Sequence, residues 1–567
     1  MHGQATVLDV LLTVLDMNDD VELLDQLDTV LQAGLVVERR DPMDVSYRLS
    51  HRKLADVLLR DLSKTERTRL HGRLAMALEA YASHEPETMA VIGEHYRRSG
   101  YAGKAYEHLV AAAQRLVDQS LADAAWELSE KASGIEAGAA QDLTPEAFQA
   151  SRVTQLRVRG NVLYTRGAWS EAEVVYAELL SVAEQNEDWA LATDARLDLA
   201  TALRRQSRNQ ESLRIANSAL TLARKVQYRE GVAEALHCVA ALSWSEGDLA
   251  RCEALATEGL LVAQGEHLAE QRARLLLSLT TSQATRGQLA SSTRGLQEAE
   301  QIFRSHHMKR PRVLCLANLA ELLVWQGVPS AAEDRAQRAH EVAEALGYRL
   351  GLTASLRARG VARLELGLYW KAQTDLLEAL KLAVSIDVIE EIVACRCALT
   401  QLAIERNDLA GARHHGAEGL KAAQRRDTEH YLPLLQVHLA RALAHHREPV
   451  ARSLIKAVES VLDTLHLPRQ TQAHASLGWA WMALGDRDKV REHATKVTST
   501  PNTRAFKLLH LEARTQLVWA SHGEEADRHK RAATEQAKAI LNKISPPTSE
   551  LILRRPLFRR LGMTPDA

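Results

Sequence analysis

Small residues recur on a 40-residue step through the middle of the chain, and that step limits the possible folds more than any other feature. Gly167, Ser207, Gly247, Gly287, Gly327, Gly367 and Asn407 stand 40 apart, six steps in succession. Five residues after each stand Ala172, Ser212, Cys252, Ser292, Ala332, Ala372 and Ala412, all small. Twelve after stand Leu179, Ala219, Gly259, Ala299, Ala339, Ala379 and Gly419; seven before stand Gly160, Ala200, Ala240, Thr280, Ala320, Gly360 and Thr400. Gly and Asn readily end a helix in left-handed backbone. Two helices approach to about 8 Å only where the side chains at their crossing are small. The spacing therefore predicts one helical hairpin per step, with the stretch GAWSEAEVVYAELL, Gly167 to Leu180, as a turn plus second helix. Stacked hairpins make a solenoid, an architecture suited to binding.

Composition agrees with this reading. At 567 residues the chain exceeds a single core. Apolar residues reach 46% with only 4% aromatic, the profile of long amphipathic helices, so an all-α chain is expected. A formal charge of -2 shows no global attraction to nucleic acid or anionic membrane. Cys238, Cys252, Cys315, Cys395 and Cys397 form no CxxC pair, which predicts reduced core thiols in a cytoplasmic protein rather than a metal or disulfide framework. The N-terminal MHGQATVLDVLLTVLDMNDD lacks the basic start of a signal peptide, and no run of about 18 apolar residues predicts a membrane span.

The small-residue columns and Tyr176 resemble the tetratricopeptide repeat, whose usual length is about 34 residues. The longer unit here is similar to the repeat arms of MalT-like and LuxR-family bacterial regulators, in stretches such as LGYRLGLTASLRARGVARLELGLYWKA and YREGVAEALHCVAALSWSEGDLARC. Residues 1–80 read differently: two helices, a β-hairpin of VVERR and VSYRLSH around a DPMD turn, then two more helices. That order resembles the winged-helix segment of STAND-class ATPases. The resemblance implies a nucleotide-binding domain next to this segment. The chain contains no GxxxxGK[ST], the nearest stretch being GYAGKA at Gly100, and no kinase motif set. The expectation is thus a regulatory part whose ATPase, kinase or cyclase module lies elsewhere. A DNA-reading role is disfavoured, since Asp19 to Gly34 carries Asp19, Asp20, Glu22, Asp25 and Asp28 without a cation, and Arg39 and Arg40 on the wing are too few to compensate.

The expected organisation is a winged-helix-like segment over 1–80, helical hairpins over 81–135 and a linker over 136–149. Seven 40-residue tetratricopeptide-like repeats follow over 150–430, then degenerate repeats and a terminal hairpin over 431–545, and a tail over 546–567. Arg447 falls on the step but is followed by Pro449, and Gly485 sits two residues out of phase. The whole is an α-α superhelix of about ten hairpins, expected to be right-handed. The tail sets Leu551, Ile552, Leu553, Leu557, Phe558 and Leu561 against Arg554, Arg555, Arg559 and Arg560, and is expected to pack on the last hairpin.

No cofactor, metal or catalytic residue is predicted. The His pairs at 306/307, 414/415 and 445/446 point about 100° apart on a helix and read as surface residues. Trp244, Trp325, Trp370 and Trp481 read as core plugs. In tetratricopeptide arrays, positions two, three, six and ten before the turn line the concave face. Those offsets select Arg157, Asn161, Tyr164, Arg204, Arg205, His237, Trp244, Glu321, Trp325, Arg357, Glu365, Gln401 and Glu405. The mapped groove is basic at its N-terminal end and acidic toward its C-terminal end, which suits a protein or peptide of opposite polarity. A small-molecule effector is a second ligand class; nucleic acid and membrane insertion are not expected. The reading is a sensor arm in bacterial signal transduction, not an enzyme, with a freestanding scaffold and an effector-responsive transcription regulator as alternatives.

Overall fold

The structure is a computed structural model that describes residues 6–17, 20–40, 45–81, 85–119, 121–424, 431–445, 448–500, 505–544 and 546–563. Asp19, the DPMD turn, His446 and Arg447 lie outside the described residues. The chain divides into two compact units, Met1–Leu163 and Tyr164–Ala567.

In the N-terminal unit, helices Leu8–Leu15 and Asp20–Gln32 precede a hairpin of Val36–Arg40 and Val45–Leu49, in antiparallel register with Val36 opposite Leu49. A third strand, Thr6–Val7, pairs on the other side of Val45–Leu49. Leu23, Leu27 and Tyr47 form the small core. Helix Lys64–Tyr81 starts in a reciprocal cap: the Ser63 amide donates to Glu66 Oε2 (2.9 Å), and the Glu66 amide donates to Ser63 Oγ (3.2 Å). The GYAGKA stretch is the turn between helices Pro86–Ser99 and Ala102–Asp118, closed by left-handed Gly100.

The linker expected over 136–149 is not one. Glu136–Asp142 is a helix, Ala139 is fully buried, and Asp142 Oδ2 accepts from the Gly103 amide at 3.1 Å, at the positive N-terminal end of the preceding helix Ala102–Asp118. Its Gly and Ala residues serve close packing rather than chain flexibility: a Cβ on Gly138 would stand 3.0 Å from Ala102 Cβ. The boundary between the units falls instead inside the helix Pro145–Arg166.

The C-terminal unit follows the 40-residue step. Helices Trp189–Arg205, Arg229–Ser245, Ala269–Thr285, Lys309–Trp325, Arg349–Glu365 and Ile389–Glu405 each run 17 residues and stop two residues before a step position. All seven step residues have positive φ, from 59° to 82°. From Ser207 onward the next amide closes each turn, as in Arg208 N–H to Leu203 O (3.0 Å) and Asp248 N–H to Ser243 O (2.9 Å). The plus-five column is wholly buried. Its Ser212 and Ser292 hydroxyls donate to the carbonyls of Ala200 and Thr280 in the minus-seven column, at 2.6 and 2.7 Å, which is the hairpin crossing itself.

Left-handed residues also occur half a step away, between hairpins, at Glu187, Gln227, His307, Gly347 and Asp387. Only one of these five is glycine, so no column marked them.

The array touches itself one superhelical turn later. A Cβ on Gly167 would stand 2.8 Å from Ile386, on Gly287 2.6 Å from Leu467, on Gly327 3.1 Å from Lys507, and on Gly367 3.0 Å from the Leu551 carbonyl. Those partners lie roughly 180 to 220 residues further along, so a turn takes about five hairpins. Gly247 has nothing within 4 Å. Gly247→Ala should therefore cost only its left-handed strain, about 1–2 kcal/mol, whereas Gly287→Ala adds overpacking of about 1–3 kcal/mol. Urea midpoints of the two variants test this, and equal losses would refute the self-contact.

Beyond Ala423 the helices Leu432–Ala444, Pro449–Glu459 and Leu467–Leu484 continue the stack, the last ending at left-handed Gly485. Lys507–Ala520 and Gly523–Leu541 pair as the expected hairpin. The tail does more than pack on it. Pro546–Leu553 and Pro556–Arg560 bury Ile552, Leu557, Phe558 and Leu561 against Leu508, Ile540 and Leu366, so they also reach one superhelical turn back. Among the described residues, no helix is long and apolar enough to cross a membrane, and no group of three or more His, Cys, Asp or Glu could hold a metal ion. All five cysteines are free and buried.

Candidate functional site on the inner face

The first helix of each hairpin carries the residues selected by the turn offsets, and they join rungs between neighbouring hairpins of the C-terminal unit. Arg205 Nε donates to the Tyr164 hydroxyl (3.0 Å), Trp244 Nε1 to Thr285 Oγ1 (3.0 Å), and His237 Nδ1 lies 2.8 Å from Ser278 Oγ. Each pair is 41 residues apart, one repeat plus one residue. Tyr164, Arg204, Arg205, His237, Trp244, Glu321, Trp325, Arg357, Gln401 and Glu405 keep some solvent-accessible surface, while Glu365 is buried. Arg157, exposed, and Asn161, half-buried, belong to the N-terminal unit.

The charges on this face fall into three clusters. In the middle one, Arg357 Nε donates to Glu391 at 2.7 Å and its Nη1 lies 3.9 Å from Glu321. Arg469 lies 3.8 Å from Glu321 and stacks over the Tyr431 ring at 4.2 Å. In the C-terminal cluster, Arg555 from the tail is only 1% exposed. Its Nη1 donates to the Glu365 carboxylate (2.6 Å) and backbone carbonyl (2.9 Å), and its Nε lies 3.5 Å from Glu405, which also accepts from Tyr369 (3.2 Å). Beside it Trp479 Nε1 donates to Glu512 at 2.9 Å, with Arg441 and Arg560 over the indole. Burial, reinforced by Glu365, pushes the Glu512 carboxyl up to about 7.

The acidic end of the mapped groove is consequently not open. Its carboxylates are neutralised by arginines one superhelical turn away, and the tail itself covers Glu365 and Glu405. The third cluster is different. Arg204 and Arg205, in the last turn of helix Trp189–Arg205, form no ion pair with any carboxylate among the described residues, and Arg204 Nε is buried with no hydrogen-bond partner. Their field appears at Tyr164: burial pushes its phenol pKa up, but Arg205, Arg204 and Arg310 outweigh that and hold it below the ordinary value.

Arg469, Tyr431, Glu391, Glu512 and Arg555 escaped the turn offsets. Arg469, Tyr431, Glu512 and Arg555 come from the degenerate repeats and the tail, where the step is lost, and Glu391 sits at a helix start. The one signal was the basic tail, whose Arg554, Arg559 and Arg560 are exposed while Arg555 is inserted. Trp481 is buried, and Trp244 and Trp325 are half-buried, but Trp370 is 76% exposed and is no core plug. It starts the second helix of its hairpin, whose outer face meets water. His306, His307, His414 and His445 are exposed as expected; His415 is half-buried, 2.9 Å from the Arg396 guanidinium. On helix Asp20–Gln32 the carboxylates of Asp20, Glu22, Asp25 and Asp28 are all exposed.

No family model matches the chain, and no curated protein matches it. Among solved structures it is similar to a Rap protein complexed with competence and sporulation factor, 15% identical with a TM-score of 0.38 over 77% of this chain and 98% of that one. It is similar also to NprR in complex with its cognate peptide NprX, at 13% identity and a TM-score of 0.46 over 61% of this chain and 99% of that one. A signal transduction ATPase with numerous domains and a tetratricopeptide repeat sensor, from Pyrococcus horikoshii, is 13% identical with a TM-score of 0.40; 82% of this chain aligns with 63% of that protein.

Proposed function

We propose that the chain is a recognition arm in bacterial signal transduction, which holds a peptide or protein segment along the inner face of its C-terminal unit and works with a nucleotide-binding or kinase module. The observation that carries this reading is the inner face itself. Its aromatic and arginine side chains, among them Tyr164, Arg204, Arg205, Trp244 and Trp325, remain partly accessible on a repeated scaffold. Such residues supply most of the energy in protein interfaces when a partner covers them. Nothing in the motif content favours chemistry by this chain alone. Residues 1–80 are read as a winged-helix-like segment, and the exposed acidic helix Asp20–Gln32 speaks against a DNA-reading role.

A photo-crosslinking residue at position 244, introduced in the source cells, tests the reading. The expected product joins this chain to a polypeptide that carries a P-loop or kinase motif. Cross-links to a partner without such a module would favour a freestanding scaffold, and none at all would overturn the recognition arm.

A further inference from the structure

Of the three charge clusters, the one at Arg204 and Arg205 has no carboxylate ion pair among the described residues. Arg357, Arg469 and Arg555 each face a carboxylate within 4 Å. Arg204 and Arg205 face none, although they are adjacent, half-buried and surrounded by protein. The carboxylate whose field reaches both, Glu390, makes no ion pair with either. Helix-end carbonyls offset part of the charge, because both arginines lie in a C-terminal turn, but a helix end supplies only about half an elementary charge. Enclosing two guanidinium groups with no carboxylate in ion-pair distance is costly: burial holds Arg204 below its ordinary value, and Tyr164 offsets part of the charge of Arg205. Such a cost is the mark of a site awaiting its ligand.

The surroundings define the ligand. Two guanidinium forks match the geometry of an oxyanion. The Tyr164 hydroxyl already accepts from Arg205, and Tyr348 and Arg310 lie within electrostatic reach of Tyr164. Gly167 packs on Ile386 beside them, so the cluster sits where the superhelix closes on itself and its walls are held by both turns. We propose that Arg204 and Arg205, flanked by Tyr164, form an oxyanion-binding site on the inner face that takes a carboxylate of an acidic peptide segment. This site rests on the recognition-arm reading and specifies the chemistry of what the arm holds.

The test uses the full chain and its Arg204→Gln/Arg205→Gln variant, titrated calorimetrically with a capped tetraglutamate peptide, its tetraglutamine counterpart and inorganic phosphate. Saturable binding of tetraglutamate alone, weakened at least tenfold in the variant and by added salt, is expected. The variant should melt at the same temperature as the parent or higher, since it loses uncompensated charge. Its Tyr164 should ionise at higher pH, read as the tyrosinate absorbance lost on adding Tyr164→Phe. Tighter binding of phosphate than of tetraglutamate overturns the peptide carboxylate as ligand. Equal tetraglutamate affinity in parent and variant overturns the site. Failure of every probe to bind, with cross-links from position 244 intact, overturns the site and leaves the recognition arm standing.

Discussion

Arg555→Ala should lower the stability of the C-terminal unit by about 3–5 kcal/mol, the cost of leaving a buried charge without its partner. Arg555 contacts Glu365 through its side chain and backbone, and Glu405 through its Nε, at 1% exposure. Removing it strands two carboxylates beside Glu512, a third. The loss is electrostatic rather than a matter of packing, and that distinction can be measured. Arg555→Met keeps most of the side-chain volume and should lose nearly as much stability, while the triple variant Arg555→Met/Glu365→Gln/Glu405→Gln should recover most of it. Urea denaturation followed by circular dichroism checks both. A neutral Arg555→Met, or a triple variant no better than Arg555→Ala, would show that the tail is not held by these charges.

Acid should destabilise the protein well above the usual carboxylate range. Burial pushes His95, His237, His415 and His474 down to about 4, and His438 to about 3. His474 Nδ1 lies 2.9 Å from His493 Nδ1, so one ring must accept while the other donates, and a second proton would set two cations side by side. These folded-state values lie below the unfolded value near 6.5. Their contribution is therefore complete above pH 6.5 and is lost as the pH falls toward 4, because the unfolded chain takes up protons that the folded chain refuses. Each histidine contributes up to about 1.4 kcal/mol per pH unit in that window, less for the half-buried His237 and His415. Glu512 acts in the opposite sense: raised to about 7, it favours the fold below pH 4.5 and loses that contribution as the pH rises through 7. One carboxyl is outweighed by five imidazoles, so the melting temperature should drop steeply between pH 6.5 and 5. His438 Nδ1 is buried without a hydrogen-bond partner, and His438→Leu should flatten the slope by one proton. A melting temperature flat across that window would contradict the buried neutral rings.

Much of the solenoid was legible because its determinants are local. A hairpin crossing requires small side chains at fixed distances from a left-handed turn, and all of these lie within 40 residues of one another. Ala372 beneath Gly360 and Ser212 against Ala200 are instances of one steric requirement. The same locality picked out Tyr164, Arg205, His237 and Trp244, which hydrogen-bond between neighbouring hairpins. It failed at the 136–149 stretch, where Gly and Ala composition suits a loop and a close-packed helix equally well.

The amino-acid sequence by itself determined the repeat, its turns and which helix face carries polar groups, since each depends on neighbours within one hairpin. Only the tertiary structure decided that Gly287 is a contact while Gly247 is merely a turn, that Arg555 neutralises a carboxylate 190 residues away, and that Arg204 Nε is buried without a hydrogen-bond partner. Those outcomes depend on how far the superhelix advances per turn. That advance is the accumulated sum of small rotations between hairpins, and no residue in any one repeat encodes it.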